Sequence, residues 1–250
     1  MKDTIKRLVA NTPLDPIARR IWQSMHGRSS PVVDKDDALG FEIIAKVLRP
    51  ESNCVDVGAS GGKFLIHFQR HAPRGHHVAF EPIPEAAKAL QRRFPNVRVY
   101  DIALSDSTGE TEFNYVVSNP GYSGLRPRSY PRPDERIDRL KVKTERLDQV
   151  LEASRKIDFI KVDVEGAELQ VFRGAIQTLK TYRPFVLFEH GRGAADYYGT
   201  TPEMIYDLLA GECGLHISLL GGWLHGDKPL SRDEFVAQFQ GLSWNFLAHA

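Results

Sequence analysis

The segment CVDVGASGGKF has the residue types and spacing of a ligand-binding turn. An apolar stretch ends at Val57 and is followed by Gly58, Gly61 and Gly62, after which a helical pattern begins. Glycine lets the backbone turn sharply and lets a ligand approach without meeting a β-carbon. A tight strand-to-helix turn that binds no ligand could have the same residues, so the residues that follow decide between the two interpretations.

Glu81, in the stretch HHVAFEP, is the second residue that could do chemistry. It stands 23 positions after Gly58, close to the interval of about 20 residues at which an acidic side chain binds ribose hydroxyls in nucleotide-binding βαβ units. A carboxylate accepts two hydrogen bonds from a vicinal diol, so the pair predicts a nucleoside ligand. The alternative for Glu81 is a solvated strand end.

The spacing of the glycines indicates which nucleoside is bound. The pattern is GxxGG, whereas a loop that turns a helix N-terminus toward a pyrophosphate has GxGxxG. Asp56, just before the turn, would repel a pyrophosphate but suits a ligand with an amino group and a sulfonium, such as S-adenosylmethionine. A nicotinamide cofactor is therefore the second candidate.

The elements that must position these residues are predicted from an alternation of short β-branched stretches with segments of helical periodicity. Such alternation predicts an α/β fold with a mostly parallel sheet and helices on both faces. The stretch 118–139, rich in Pro and Arg, interrupts the alternation and is interpreted as an inserted loop. The predicted strands are residues 53–57, 77–80, 97–100, 159–162, 185–188, 215–219 and 244–248, and the predicted helices are residues 36–48, 63–71, 84–94, 168–179 and 202–209.

Composition excludes several classes of protein. The chain has 33 Lys+Arg against 32 Asp+Glu, so it has no global attraction to nucleic acid or to anionic lipid. Cys54 and Cys213 form no CxxC pair, which disfavours a disulfide framework and a thiolate zinc site. The N-terminal stretch lacks the apolar run of a signal peptide or a membrane span. We therefore predict a cytoplasmic protein without a nucleic-acid partner or stable membrane insertion, whose oligomeric state the composition does not specify.

Six strings of residues, in order, resemble the FkbM-type S-adenosylmethionine-dependent methyltransferases: VDVGASGGKF, AFEPIPE, VYDIALSD, KTERLDQVL, IDFIKVDVEGAE and LQVFRGAIQTLKTYRPFVLFEH. The resemblance covers roughly residues 50–190. It implies the class I methyltransferase sheet of seven strands with the last antiparallel, and O-methylation of a hydroxyl on a small molecule or a saccharide. We predict an N-terminal helical cap, residues 1–35, and a single methyltransferase domain, residues 36–250, that contains the loop 118–139.

The resemblance also implies a set of residues for the methyl donor, S-adenosylmethionine. The glycine turn lines its methionine part, Glu81 holds its ribose, and residues 101–103 lie beside its adenine. Asp56 stands near the donor's amino group or behind the turn, and Ser60 occupies a position where the family more often has Asn. The complete set is Asp56, Gly58, Ala59, Ser60, Gly61, Glu81, Pro82, Asp101, Ile102, Ala103 and Asp163.

The catalytic candidates follow two predicted strands, whose carboxyl ends meet at the ligand-binding edge of an open α/β sheet. They are Asp163, Glu189 and His190. Asp163 is interpreted as a donor-proximal or substrate-orienting residue, and Glu165 as a helix cap or as a residue that supports those in contact with the ligand. His190 has a pKa suited to accepting a hydroxyl proton, and a structural core histidine is its alternative. The spacing matches no metal motif, so no metal is predicted.

Several alternatives stay open at this point. The same sheet could serve a nicotinamide-dependent oxidoreductase, which the glycine spacing disfavours, or a non-catalytic domain that binds an adenosyl ligand. The loop 118–139 is either a lid that presents arginines and tyrosines to the acceptor or a solvated loop. Trp223 and His225 either border the acceptor cleft or belong to a packed hairpin-like loop.

Overall fold

A computed structural model describes residues 31–250, apart from residues 131, 133, 152–154 and 240–242. Its strands are β1 (Cys54–Val57), β2 (Val78–Phe80), β3 (Arg98–Tyr100), β4 (Ile102–Leu104), β5 (Gly109–Val116), β6 (Ile137–Glu145), β7 (Phe159–Val162), β8 (Phe185–Glu189), β9 (His216–Leu219) and β10 (Asn245–His249). In the described part of the chain, seven of them form the central sheet in the order β3-β2-β1-β7-β8-β10-β9.

The central sheet is parallel except for β10, which is antiparallel to both β8 and β9. The prediction of a mostly parallel sheet with the last strand antiparallel is therefore confirmed. Each of the seven predicted strands lies within one residue of an observed strand at both ends. Buried parallel strands are mostly apolar stretches, which is why the sequence pattern located them.

Helices cover both faces of this sheet, as predicted. They are α1 (Pro31–Val47), α2 (Lys63–His71), α3 (Pro84–Arg93), α4 (Leu147–Val150), α5 (Glu168–Arg173), α6 (Ile176–Tyr182), α7 (Pro202–Tyr206), α8 (Leu220–His225) and α9 (Arg232–Gln238). Because successive side chains of a strand point to opposite faces, Cys54 joins a core cluster with α1, α2, α3 and α8, and Val55 joins one with α5, α6, α7 and α9.

A second sheet of three strands, in the order β4-β6-β5, was not predicted. β4 pairs with β6 in parallel, and β5 pairs with β6 in antiparallel register. Phe113, Val142, Ala103 and Ile83 form its own small core beside the end of β2. The predicted loop 118–139 is shorter than expected, because β6 begins at Ile137.

One predicted helix, 36–48, begins five residues earlier in the structure, as α1, and two others are divided or end early. The predicted helix 168–179 is divided into α5 and α6 at Gly174, where a β-carbon would lie 2.1 Å from the carbonyl oxygen of Ser105. The predicted helix 202–209 ends as α7 at Tyr206 and continues as a π-helical turn, Asp207–Glu212. A close approach of the Ser105 backbone explains the first difference, and Gly174 is the residue that permits it.

Trp223 lies on α8 and does not border the ligand-binding edge. Its ring packs edge-on against Phe185, at 5.6 Å between centroids, and Phe185 begins β8 at the opposite end of the sheet. The same helix ends at His225, which is exposed. The interpretation of this segment as part of the acceptor cleft is therefore wrong, because α8 runs back along the sheet from the end of β9.

Residues 1–30 lie outside the described residues. The helix α1 spans the predicted domain start at residue 36, and the helical cap 1–35 and the domain division stay predictions. Within the residues that the structure describes, no helix combines the length and the apolar character that a membrane crossing requires.

Candidate active site

The glycine turn between β1 and α2 is shaped by contacts with neighbouring strand ends. Gly58 has a φ of 76°, and a β-carbon there would lie 1.9 Å from the carbonyl oxygen of Asp163. Gly62 has a φ of 75°, and a β-carbon there would overlap Phe94. Ser60, between them, also adopts a left-handed φ of 45°, which is uncommon for a residue other than glycine.

Glu81 joins this turn to the one that follows β2. Its side chain, 4% exposed, accepts a hydrogen bond from the Ser60 N–H at 2.8 Å and another from the Ile83 N–H at 2.9 Å. Burial raises the pKa of Glu81 to about 7, although both hydrogen bonds oppose the rise. Each carboxylate oxygen keeps a lone pair, so Glu81 can still accept hydrogen bonds from a ribose diol.

A cavity of about 490 Å³ opens between the carboxyl ends of the central strands and the second sheet. It is a size that accommodates a small organic ligand. Its polar walls include Glu81, Asp163 and Glu165, and its apolar walls include Ile83 and Phe113. The predicted donor residues that line it are Gly58, Ser60, Gly61, Glu81, Pro82, Ile102, Ala103 and Asp163.

Three predicted donor residues do not line the cavity. Ala59 is buried in the core cluster that contains Phe64, so its side chain points away from the turn. Asp101 is exposed, and Asp56 is buried beneath the turn. The sequence did not predict one wall of the cavity, which is formed by the second sheet and by the connection between β5 and β6. The residues of this wall are Phe113, Tyr115, Leu125 and Leu140.

Lys161 and Asp56 form a buried charged pair beneath the glycine turn. The Lys161 Nζ donates to Asp163 Oδ2 at 2.9 Å and to the Gly58 carbonyl oxygen at 3.4 Å, and it lies 4.0 Å from Asp56 Oδ1. Burial raises the pKa of Asp56 to about 6, and the Lys161 ammonium limits the rise. Burial by itself would lower the pKa of Lys161, but Asp163 and Asp56 raise it above its ordinary value.

Three carboxyl groups meet at the ends of β7 and β8. Asp163, Glu165 and Glu189 each place one oxygen within 4.8 Å of the others. Lys161 pairs with Asp163, and Arg128 donates to Glu165. Among the described residues, the Glu189 side chain has no hydrogen-bonding partner. The spacing would suit a divalent cation, but these two basic side chains already compensate two of the charges, so we assign no metal.

The environment of Glu165 and Glu189 favours their protonated forms by raising the pKa of both side chains. Burial raises the pKa of Glu189 well above its ordinary value, and the negative charges of Asp163 and Glu165 add to the rise. Glu165 has a left-handed φ of 56°, which turns its side chain toward the cavity. It therefore does not act as the predicted helix cap. Glu168 takes that place, because its Oε1 accepts from the Val164 and Gly166 N–H groups at 3.2 and 3.1 Å.

The structure does not bring His190 to the cavity. Its ring is 2% exposed and lies between Phe239 and Phe235, with centroid distances of 5.0 and 5.9 Å. Burial lowers the pKa of His190 to about 4, so the ring is neutral near pH 7. Strand alternation explains the difference from the prediction. His190 directly follows Glu189, the last residue of β8, so its side chain points to the opposite face of the sheet.

The connection between β5 and β6 is docked on the ligand-binding edge. The Arg126 N–H donates to the Tyr198 hydroxyl at 3.0 Å, and the hydroxyls of Ser129 and Tyr197 lie 2.6 Å apart. The Arg128 side chain is 9% exposed, contacts Glu165 and lies over the Tyr122 ring, 5.0 Å from its centroid. Arg132 and Arg139 instead pair with the carboxylates of Glu135 and Glu112.

The fold and the cavity can be compared with known proteins. The family model described as the methyltransferase FkbM domain matches residues 56–216. The chain belongs to the FkbM methyltransferase family. The predicted resemblance is thus confirmed, and the methyl donor is S-adenosylmethionine. This family assignment replaces the nicotinamide alternative.

Curated relatives match parts of this FkbM methyltransferase. The alignment with the 2-O-methyltransferase NoeI of Sinorhizobium fredii covers 67% of this chain and 75% of NoeI at 28% identity. The alignment with methyltransferase sdnD of Sordaria araneosa covers 48% of this chain and 59% of sdnD at 32% identity. The alignment with the AMB antimetabolite synthetase AmbE of Pseudomonas aeruginosa covers 58% of this chain but 9% of AmbE at 31% identity. The chain thus spans only part of these relatives.

A solved structure shares the fold. The crystal structure of methyltransferase FkbM from Methylobacillus flagellatus superposes with a TM-score of 0.51 and 14% identity over 81% of this chain and 44% of that one. At this identity the likeness shows the architecture of the FkbM methyltransferase and does not identify its acceptor. The acceptor must therefore be inferred from the side chains that line the cavity.

Proposed function

We propose that this methyltransferase transfers a methyl group from S-adenosylmethionine to a hydroxyl of a small molecule or a saccharide. The observation that carries the proposal is the group of Asp163, Glu165 and Glu189: the first two line the cavity, and Glu189 places an oxygen within 4.8 Å of both. A hydroxyl that attacks a methyl group must lose its proton, and an ionised carboxylate of this group can accept it. The name of the relative NoeI, a 2-O-methyltransferase, supports the same chemistry.

The residues of the cavity fit the donor. Glu81 is buried, lines the cavity and has free lone pairs for a ribose diol. Ile83, Ala103 and Phe113 offer an apolar surface for an adenine ring. We assign the ribose to Glu81, the adenine to this surface, and the methionine part to the turn at Gly58. Asp56 and Asp101 stay predictions of the donor site, on the family resemblance alone.

The catalytic roles follow from how the three carboxyls are paired. The donor, when bound, supplies an activated methyl group on a sulfonium. Lys161 and Arg128 hold Asp163 and Glu165, so these two can orient the attacking hydroxyl. Glu189 has no basic partner among the described residues, and the positive charge of a bound donor would favour its ionised form. We propose that this carboxylate accepts the hydroxyl proton as the oxygen–carbon bond forms and the carbon–sulfur bond of the donor breaks. Most of the rate enhancement then comes from positioning.

Transfer of a labelled methyl group tests the function. We would incubate the protein with methyl-labelled S-adenosylmethionine and a panel of hydroxylated metabolites, saccharides and amines, and locate the label by mass spectrometry and NMR. We expect an O-methyl product, and a large loss of turnover in Glu189→Gln without loss of donor binding. Label found only on nitrogen would contradict the O-methyl assignment, and transfer to no acceptor would favour a non-catalytic binding domain.

The remaining partners are proposed on the sequence alone. The near-zero net charge favours a small-molecule or glycan acceptor over nucleic acid. The two cysteines, which form no CxxC pair, favour the cytoplasm as the compartment.

A further inference from the structure

Lys161 is a buried cation that the proposed chemistry does not use directly. It lies on β7, is 7% exposed, and its ammonium stands over the Phe64 ring at 5.3 Å from the centroid. A buried ammonium is costly unless its hydrogen bonds are satisfied. Here they connect the Asp163 carboxylate with the carbonyl oxygen of Gly58.

Those two partners belong to different walls of the same end of the cavity. Gly58 and Asp163 both line it, one at the end of β1 and the other at the end of β7. Their backbones are already in contact, because the Asp163 N–H donates to the Val57 carbonyl oxygen at 3.1 Å. The Lys161 ammonium adds a link between the Asp163 side chain and the turn.

Glu81 provides the matching link on the other side of the turn. It holds the Ser60 N–H from the end of β2, whereas Lys161 holds the Gly58 carbonyl from β7. The turn is therefore fixed from both neighbouring strands by one acidic and one basic side chain. Lys161 does not itself line the cavity, so it can act on a ligand only through Gly58 and Asp163.

We propose that Lys161 is a positioning residue for the methyl donor, because it fixes the Asp163 carboxylate and the Gly58 carbonyl as the two walls of the methionine end of the cavity. This inference rests on the donor site proposed above. A lysine that served only to compensate buried charge would affect folding stability, whereas a positioning lysine affects donor affinity through Asp163.

A double-mutant cycle with S-adenosylhomocysteine separates these roles. Lys161→Met, Asp163→Asn and the double variant are compared with the wild type by isothermal titration, and thermal unfolding is measured in parallel. We expect Lys161→Met to weaken binding by roughly tenfold, but by no more than about twofold in the Asp163→Asn background. Unchanged affinity in Lys161→Met, or the same loss in both backgrounds, would overturn the inference.

Two further variants keep the result interpretable. Lys180→Met removes a lysine that pairs with Glu212 on the surface, far from the cavity, and should bind the ligand as the wild type does. If Lys161→Met does not fold, Lys161→Arg keeps the charge but changes its position. We expect that variant to bind several-fold more weakly, and wild-type affinity would overturn the inference.

Glu81→Ala, measured in the same series, distinguishes this inference from the donor site on which it rests. If Glu81→Ala binds S-adenosylhomocysteine as the wild type does, the proposed donor site is wrong. If Glu81→Ala weakens binding and Lys161→Met does not, only the role of Lys161 is wrong.

Discussion

At the scale of single residues, Glu81 has two tasks that one substitution can test. It holds the N–H groups of Ser60 and Ile83, and it faces the cavity. We expect Glu81→Ala to weaken S-adenosylmethionine binding by roughly 1–3 kcal/mol, the usual cost of losing a charged hydrogen-bonding partner. Isothermal titration measures it. Glu110→Ala, which removes an exposed carboxylate paired with Lys141, is the control and should leave the affinity unchanged.

His190 gives a pH prediction whose sign follows from its burial. Its pKa is lowered to about 4 in the folded state, against about 6.5 in an unfolded chain, so the unfolded state binds the proton more readily. The buried neutral ring of His190 therefore makes its full contribution to the free energy of unfolding above about pH 6.5, and this contribution is lost as the pH falls toward 4. Relative to His190→Phe, the wild type should lose on the order of 2 kcal/mol of unfolding free energy between pH 7 and pH 5.

Denaturant unfolding of the two proteins at both pH values measures this difference. His225→Phe replaces an exposed histidine and should show no comparable effect. A pH-independent difference between His190→Phe and the wild type would mean that the ring is not buried as described. His190→Phe should also retain methyl transfer, since the ring lies outside the cavity.

At the scale of elements, the turn between β1 and α2 depends on Gly58 for space as well as for its φ. A β-carbon at this position would overlap the Asp163 carbonyl oxygen, so the turn and the end of β7 cannot both keep their places. We expect Gly58→Ala to destabilise the protein by at least about 3 kcal/mol, measured by denaturant unfolding. Gly211→Ala, where the added carbon meets nothing within 4 Å, should change stability by less than about 1 kcal/mol.

The connection between β5 and β6 is held by Arg128 through Glu165 and Tyr122. Arg128→Gln removes the buried ion pair, so the connection should open more often and its amides should exchange faster. We expect at least about tenfold faster hydrogen exchange in peptides covering residues 119–130, measured by mass spectrometry. Arg139→Gln breaks only an exposed pair with Glu112 and should leave exchange unchanged. Equal exchange in both variants would show that Arg128 does not hold the connection.

The elements that the sequence predicted well are those with one dominant signal. The strands of the central sheet are short, mostly apolar stretches rich in β-branched and aromatic residues, and α2 coincides with its predicted bounds. β5 and β6 were missed because they are half-exposed and carry many charges, and because they pair across a connection of some twenty residues. Local pattern contains no information about that pairing.

The same contrast applies to the candidate site. Glu81 was found from its interval to Gly58, because a βαβ unit brings the ends of consecutive strands together. His190 was misplaced because the prediction considered where β8 ends but not which face each residue takes. Lys161 interrupts an apolar strand, and only the distances to Gly58 and Asp163 reveal its link to the turn.

At the scale of the whole molecule, the net charge of +1 conceals an uneven distribution. Acidic side chains gather at the carboxyl ends of β7 and β8, and the connection between β5 and β6 supplies Arg128 opposite them. This edge suits a donor that carries positive charge on its ammonium and sulfonium. It does not suit the pyrophosphate of a nicotinamide cofactor.

Ligand-dependent stability of the protein tests this arrangement. A ligand that binds only the folded state at about 100 times its Kd adds about 2.7 kcal/mol of stability, which for a protein of this size raises Tm by roughly 5–10 °C. We expect S-adenosylmethionine and S-adenosylhomocysteine to produce such shifts in thermal unfolding and NAD to produce less than about 1 °C. The Glu81→Ala variant should lose most of the shift, because its folded state binds the ligand more weakly at the same concentration. A shift with NAD alone would mean that the cavity between the two sheets takes a phosphorylated cofactor, and the acidic edge would then need a different role.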